Sequence, residues 1–174
     1  MTSRRELGLV TVAFYVGAII AANALTARFG LVPVGFTLNA PAGVFCAGLA
    51  VMLRNLVQDA LGRRAVVLAI LAGAAASSAV APSSLALASG AAFGISELAD
   101  TLVYTPLRSR GWARAVLPAS ALGALADTFV FLALARFPLT GSTVAGQFVG
   151  KTWAVWLPVA CVLTFRSLRR RHAV

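Results

Sequence analysis

Apolar positions run along this chain in long blocks, separated by short segments that are basic or rich in turn-forming residues. Leu7 to Ala27 carries no charge over 21 residues, and Gly35 to Leu53 none over 19. An α-helix of about 20 such residues crosses a hydrocarbon core about 30 Å thick. Ala65 to Ser96 is uncharged over 32 residues, too long for one ordinary span. Pro82-Ser83-Ser84 interrupts it, so two helices joined by a short turn are predicted there. Ala115 to Arg136 and Thr143 to Phe165 complete the set, with Asp127 and Lys151 inside them. Six helices are therefore predicted, at about 7–27, 38–58, 65–81, 84–104, 114–136 and 143–166, in a single domain covering 1–174. The fold class is all-α, a polytopic membrane bundle of six transmembrane helices. Backbone groups in lipid need internal hydrogen bonds, which leaves helices or closed barrels, and these runs are too long and too uniformly apolar for barrel strands.

Composition agrees with a lipid solvent. Hydrophobic residues make up 60% of the chain and charged residues 11%, against roughly 45–50% apolar in soluble domains. The net charge of +10 raises nucleic acid as a partner, but the distribution of arginines argues for topology instead. Arg4 and Arg5, Arg63 and Arg64, the Arg108–Arg114 group, and Arg166 with Arg169 to Arg171 all fall on one side of a six-span chain. The opposite loops hold only Arg28 and Arg136. This positive-inside pattern predicts a bacterial inner-membrane protein with both termini cytoplasmic, its basic tail fixing topology or touching anionic lipid. Leu7 to Ala27, with Ala22-Asn23-Ala24 imitating a cleavage site, is longer than a signal-peptide apolar region and is taken as a mature helix. Cys46 and Cys161 fit no metal spacing, and His172 stands alone in the polar tail. With no phosphate-cradling loop, nucleophile constellation or metal cluster, neither an enzyme nor a cofactor is predicted.

The chemistry lies in the few polar residues placed within the apolar blocks. Each ionisable group there costs about 2.5–3.5 kcal/mol on insertion scales, so such groups pair or line a cavity. They are Asn23 in helix one, Arg54 and Asn55 in helix two, Glu97 and Asp100 in helix four, Asp127 in helix five, and Gln147 and Lys151 in helix six. Gly90, Phe93, Glu97, Asp100 and Tyr104 share one face of helix four at helical spacing. Ser120, Gly123, Asp127 and Phe131 share a face of helix five, and Gln147 and Lys151 one of helix six. At 1.5 Å per residue, Lys151 and Asp127 both lie about 12 Å from the outer surface, and Glu97 comes level with Arg54 at about 20 Å. Two readings follow. Asp127–Lys151 and Glu97–Arg54 are ion pairs that fix helix register, or these groups line a solute cavity. Three carboxylates against two cations leave one negative charge, spent on the cytoplasmic arginines through Asp100 or on a cationic ligand or proton.

Four ordered segments, "APAGVFCAGLAVMLRNLVQDALGRR" (40–64), "ISELADTLVY" (95–104), "SALGALADTFVFLALA" (120–135) and "GQFVGKTWAVW" (146–156), carry a family resemblance. Together, over roughly residues 8–165, the chain resembles the VUT family of queuosine-precursor transporters, once assigned as vitamin uptake transporters. The resemblance implies a six-helix fold like the substrate-binding components of energy-coupling-factor transporters. It implies uptake of 7-cyano-7-deazaguanine or 7-aminomethyl-7-deazaguanine. The family's Ser-Glu-x-x-Asp falls on Ser96, Glu97 and Asp100, its helix-five aspartate on Asp127, and its Gln/Lys step on Gln147 and Lys151. Its helix-two pattern falls on Asn55, Asp59 and Gly62, with Asn55 standing where the family has an aspartate.

A carboxylate can accept the N–H and amino group of a guanine-type edge together, while the ring carbonyl takes a donor such as Gln147 or Lys151. The predicted substrate-binding residues are Asn23, Phe93, Glu97, Asp127, Gln147 and Lys151, with Glu97 and Asp127 as recognition acids. Arg54, Asn55 and Asp100 are assigned to register or coupling. The expected partners are the solute and the bilayer. Energising ATPase subunits, if used, are separate chains, since no nucleotide-binding motif is present. Two other classes compete: a binding component for another vitamin-like solute, and a non-transporting assembly protein whose charged stripes dock partner helices.

Overall fold

The computed structural model of the chain describes residues 2–110 and 112–154. In chain order it contains α1 (Thr2–Phe29), β1 (Leu31–Gly35), β2 (Leu38–Pro41), α2 (Val44–Leu61), α3 (Arg63–Ser77), α4 (Ser83–Leu107), a single 3-10 turn (Arg108–Arg110) and α5 (Trp112–Leu134). A further helix, α6, begins at 141 and continues to the last described residue, 154. The predicted extension of helix six to 166, the C-terminal arginines, Cys161 and His172 lie outside the described residues. Among the described residues, three helices are long and apolar enough to cross a membrane: Glu6–Phe29, Val44–Leu61 and Ser83–Leu107.

The fold is mostly helical, as predicted, but the helix predicted at 38–58 starts late, behind a short β-hairpin. Leu38 to Pro41 pairs antiparallel with Leu31 to Gly35, and α2 starts only at Val44. The two-residue loop Phe36-Thr37 has φ of 54° and 59°. Positive φ at both central positions is the hairpin geometry that matches strand twist. Asn-Gly ordinarily marks such a turn, and a Phe-Thr pair gives no such signal. Pro33 and Pro41 further oppose helix here by lacking an N–H donor.

The other boundaries follow local chemistry. The long apolar block divides where Pro82 predicts: α3 ends at Ser77, and the Pro82 carbonyl accepts the N–H groups of Leu85 and Ala86 at 2.9 and 3.1 Å to open α4. Between α2 and α3, Gly62 takes φ +82° while donating to Gln58 O at 2.8 Å, so the chain turns without a full loop.

Helix α1 packs on α2 and α3, and α4 packs on α5 and α3. Their shared core is built on Tyr15, Ile19, Val57, Val66, Ile70 and Phe93, with Ala18, Ala50 and Ala69 allowing close approach. A smaller cluster of Val34, Ala40 and Val44 seats the hairpin on α2 and on Val149 of α6. Two glycines set the tightest crossings. A Cβ at Gly43 would strike the Ala22 carbonyl of α1, and one at Gly146 the Asn39 carbonyl of β2. Large apolar side chains such as Leu7, Phe14, Leu68, Leu87 and Leu102 point outward instead. Lipid would solvate that surface, whereas water would penalise it.

Candidate solute-binding site

Two adjoining cavities open between the helices. The first spans about 350 Å³ of non-atom space, part of it open to the outside. Asn23 and Thr26 of α1 line one side, Ser89 and Phe93 of α4 another, and Asp127, Phe131 and Gln147 the rest. The second spans about 670 Å³, part of it open to the outside, and is lined by Arg54, Asn55, Ser96, Asp100, Asp127 and Lys151. Phe93 and Asp127 border both, so they form the partition between them.

Each wall of the first cavity is fixed from behind. The buried Asn23 amide donates to Ile19 O at 3.2 Å and to Ser77 Oγ at 3.0 Å, and Ser77 Oγ donates to Gly73 O at 2.7 Å. The Asn23 donor is thus engaged, and its Oδ1 makes no hydrogen bond among the described residues. Thr26 Oγ1 accepts the Gly43 N–H at 3.0 Å, which ties the start of α2 to α1 where Gly43 permits their contact. Gln147 is 3% exposed, and its amide bonds to nothing among the described residues. The amide borders the cavity, where a solute can reach it. Phe131 stacks on Phe137, with centroids 6.2 Å apart and planes at 26°, so the ring facing the cavity is held in place.

Both ion pairs suggested by helix depth are formed. Arg54 Nη1 donates to Glu97 Oε2 at 2.7 Å, and Arg54 Nη2 to Asn55 Oδ1 at 3.2 Å. Lys151 Nζ donates to Asp127 Oδ2, and also to Thr128 Oγ1 at 3.1 Å. The other Asp127 oxygen, Oδ1, makes no hydrogen bond among the described residues.

The structure divides the predicted site residues. Asn23, Phe93, Asp127 and Gln147 line the first cavity, and Lys151 reaches its partition from the second. Glu97 borders neither. Its carboxylate meets Arg54, and it otherwise faces a groove between α3 and α4 walled by Val67, Leu71 and Leu98. Arg54, Asn55 and Asp100, assigned to register or coupling, all line the second cavity.

Three participants escape a sequence reading confined to charged and amide residues. Thr128 is fully buried and shares Lys151 with Asp127. Phe137 braces Phe131. Tyr15 is fully buried, its hydroxyl has no partner among the described residues, and it lies in the field of Arg54, Glu97 and Asp127. A signal for Tyr15 exists: Tyr15, Ile19 and Asn23 recur every four residues on one face of α1.

Chemically, the first cavity offers an acid oxygen, two amides and two aromatic faces. Such a set can hydrogen-bond a solute and cover an apolar face of it. Compared with family profiles, curated proteins and solved structures, the chain matches none.

Proposed function

We propose that this chain is a six-span inner-membrane transporter that takes up a 7-deazaguanine precursor of queuosine, as its resemblance to the VUT family implies. One observation carries the reading: Asn23, Gln147 and Asp127 converge with Phe93 and Phe131 on a single buried cavity. Amides and acids left facing an apolar interior are costly, and a base-like solute repays that cost by pairing with them. In this arrangement Asp127 Oδ1 accepts from the N–H edge of the ring. Gln147 donates to the ring carbonyl, Asn23 Oδ1 accepts a further N–H, and the rings of Phe93 and Phe131 cover the faces. Lys151 orients Asp127 through their contact rather than binding the solute itself. The topology this requires has both termini cytoplasmic, as the arginine distribution predicts.

The two formed ion pairs favour a second reading, in which the charges only fix helix register within a membrane assembly. Uptake distinguishes the two. Bacterial cells unable to make queuosine precursors are supplied with low concentrations of each 7-deazaguanine, and queuosine is followed in transfer RNA. The expected result is restoration by the wild-type chain and loss with Asp127→Asn at equal membrane abundance. No restoration, with the protein verified in the membrane, overturns the transport reading. Restoration that Asp127→Asn leaves intact keeps transport and returns Asp127 to a register role.

A further inference from the structure

The two cavities stand one above the other along the helices. Measured down α4 from Ser83, Ser89 of the first cavity lies at about 9 Å, and Ser96 and Asp100 of the second at about 20 and 26 Å. Phe93, which lines both, falls between them at about 15 Å. Helix α5 gives the same order from Leu134: Phe131 at about 5 Å, the shared Asp127 at about 11 Å and Gly123 at about 17 Å. The second cavity is therefore the one nearer the end that carries Arg63, Arg64 and Arg110.

Their polar walls meet different surroundings. In the first cavity Asn23 is 1%, Gln147 3%, and Thr26 and Ser89 4% exposed. In the second, Asn55 is exposed, and Arg54, Ser96, Asp100 and Lys151 are part-exposed. Yet α2 and α4, which carry four of these five residues, are long and apolar enough to cross a membrane. Amide and charged groups at that depth are costly against hydrocarbon and are accommodated where they face water. Phe93 is 7% exposed and belongs to the shared core with Tyr15, Val57 and Ile70, so its ring is held where the two spaces meet.

We infer that the second cavity is a water-filled vestibule open toward the arginine-rich end, that Phe93 is the barrier between it and the first cavity, and that the solute leaves by this route. The exit role rests on the transport reading; the vestibule and its barrier do not. Asp127 borders both spaces, so it offers a polar contact on either side of the ring.

The test reads thiol accessibility in the full chain, with the two native cysteines removed by Cys46→Ala and Cys161→Ala. Ser96→Cys places one thiol in the vestibule. Thr37→Cys, exposed in the hairpin loop, and Ser109→Cys, exposed at the arginine-rich end, identify the two sides. Sealed membrane vesicles of both orientations are treated with a small membrane-impermeant methanethiosulfonate, and labelling is followed by mass. Ser96→Cys is expected to react from the Ser109 side at least about 10-fold faster than from the Thr37 side. Phe93→Ala is expected to add labelling from the Thr37 side, and Phe93→Val repeats the measurement if the alanine variant does not accumulate. No labelling of Ser96→Cys from the Ser109 side overturns the vestibule. Equal rates from both sides with Phe93 intact, or no gain on shortening it, overturn the barrier.

These readouts need no solute, so they stand or fall apart from transport. The exit role is read by queuosine restoration with Val51→Trp, which narrows the vestibule from an exposed position of its wall without touching the first cavity. Restoration is expected to fall about 10-fold at equal membrane abundance. Undiminished restoration overturns the exit route and leaves transport standing, whereas no restoration by the wild-type chain overturns transport and the exit role together.

Discussion

The two ion pairs are chemically alike and differ in what surrounds them. Arg54–Glu97 joins α2 to α4, and Lys151–Asp127 joins α6 to α5. Burial does not separate them: their side chains are 15% and 11% exposed in the first pair, 11% and 9% in the second. What separates them is the acid's other side. Each acid keeps one oxygen without a hydrogen bond among the described residues, but beyond Arg54 Glu97 meets an apolar groove between α3 and α4, whereas Asp127 borders both cavities. A buried pair whose acid meets only its cation and apolar walls acts on the fold. A pair whose acid also faces a cavity is open to a ligand. Counting pairs does not distinguish the two; what each acid borders beyond its cation does.

The sharpest way to break this comparison is to remove Glu97 alone. Glu97→Leu leaves Arg54 buried without a counter-charge and is expected to cost about 3–5 kcal/mol, read as a lower unfolding temperature in detergent. Adding Arg54→Met should recover most of that loss, because an apolar pair of similar volume is close to neutral. A double variant no more stable than the single one would refute the register role.

At the second pair the readout should move from stability to binding. The combination Asp127→Asn with Lys151→Gln removes both charges together, so folding is expected to survive. Solute affinity should fall about 10- to 100-fold, the worth of a charge-assisted bond. Equal affinity in that double variant would erase the distinction drawn here.

Smaller effects grade the first cavity. Asn23→Ala breaks the bond to Ser77 and should lower stability by about 1–2 kcal/mol, with weaker solute binding alongside. Gln147→Ala breaks no bond among the described residues. It should shift stability by about 1 kcal/mol or less while reducing affinity roughly 2- to 10-fold, measured by titration.

Much of this arrangement is legible in the chain itself. Helix rise alone brings Arg54 level with Glu97 and Lys151 level with Asp127, because membrane helices of similar length make depth a usable coordinate. Azimuth is harder. Glu97 and Asp100 are three residues apart and count as one face, yet the roughly 60° between them sends one to a groove between α3 and α4 and the other to a cavity between α2 and α5. Only the positions of neighbouring helices settle which is which. The hairpin was hidden for a different reason: its loop uses Phe36 and Thr37 at positive φ, where residue type gives no warning. Tyr15 and Thr128 were hidden because a hydroxyl inside an apolar run reads as packing until its neighbours are known.

The Arg54–Glu97 contact also bears on how the protein is made. The two residues are 43 positions apart, so Arg54 leaves the ribosome long before its partner exists. At about 5–20 residues per second the interval is roughly 2–9 s. A helix carrying a lone arginine near its middle is poorly accepted by lipid during that time. In a membrane, α2 is therefore expected to settle only once α4 has emerged to supply Glu97. Pairing of these two helices is then expected to be timed by translation.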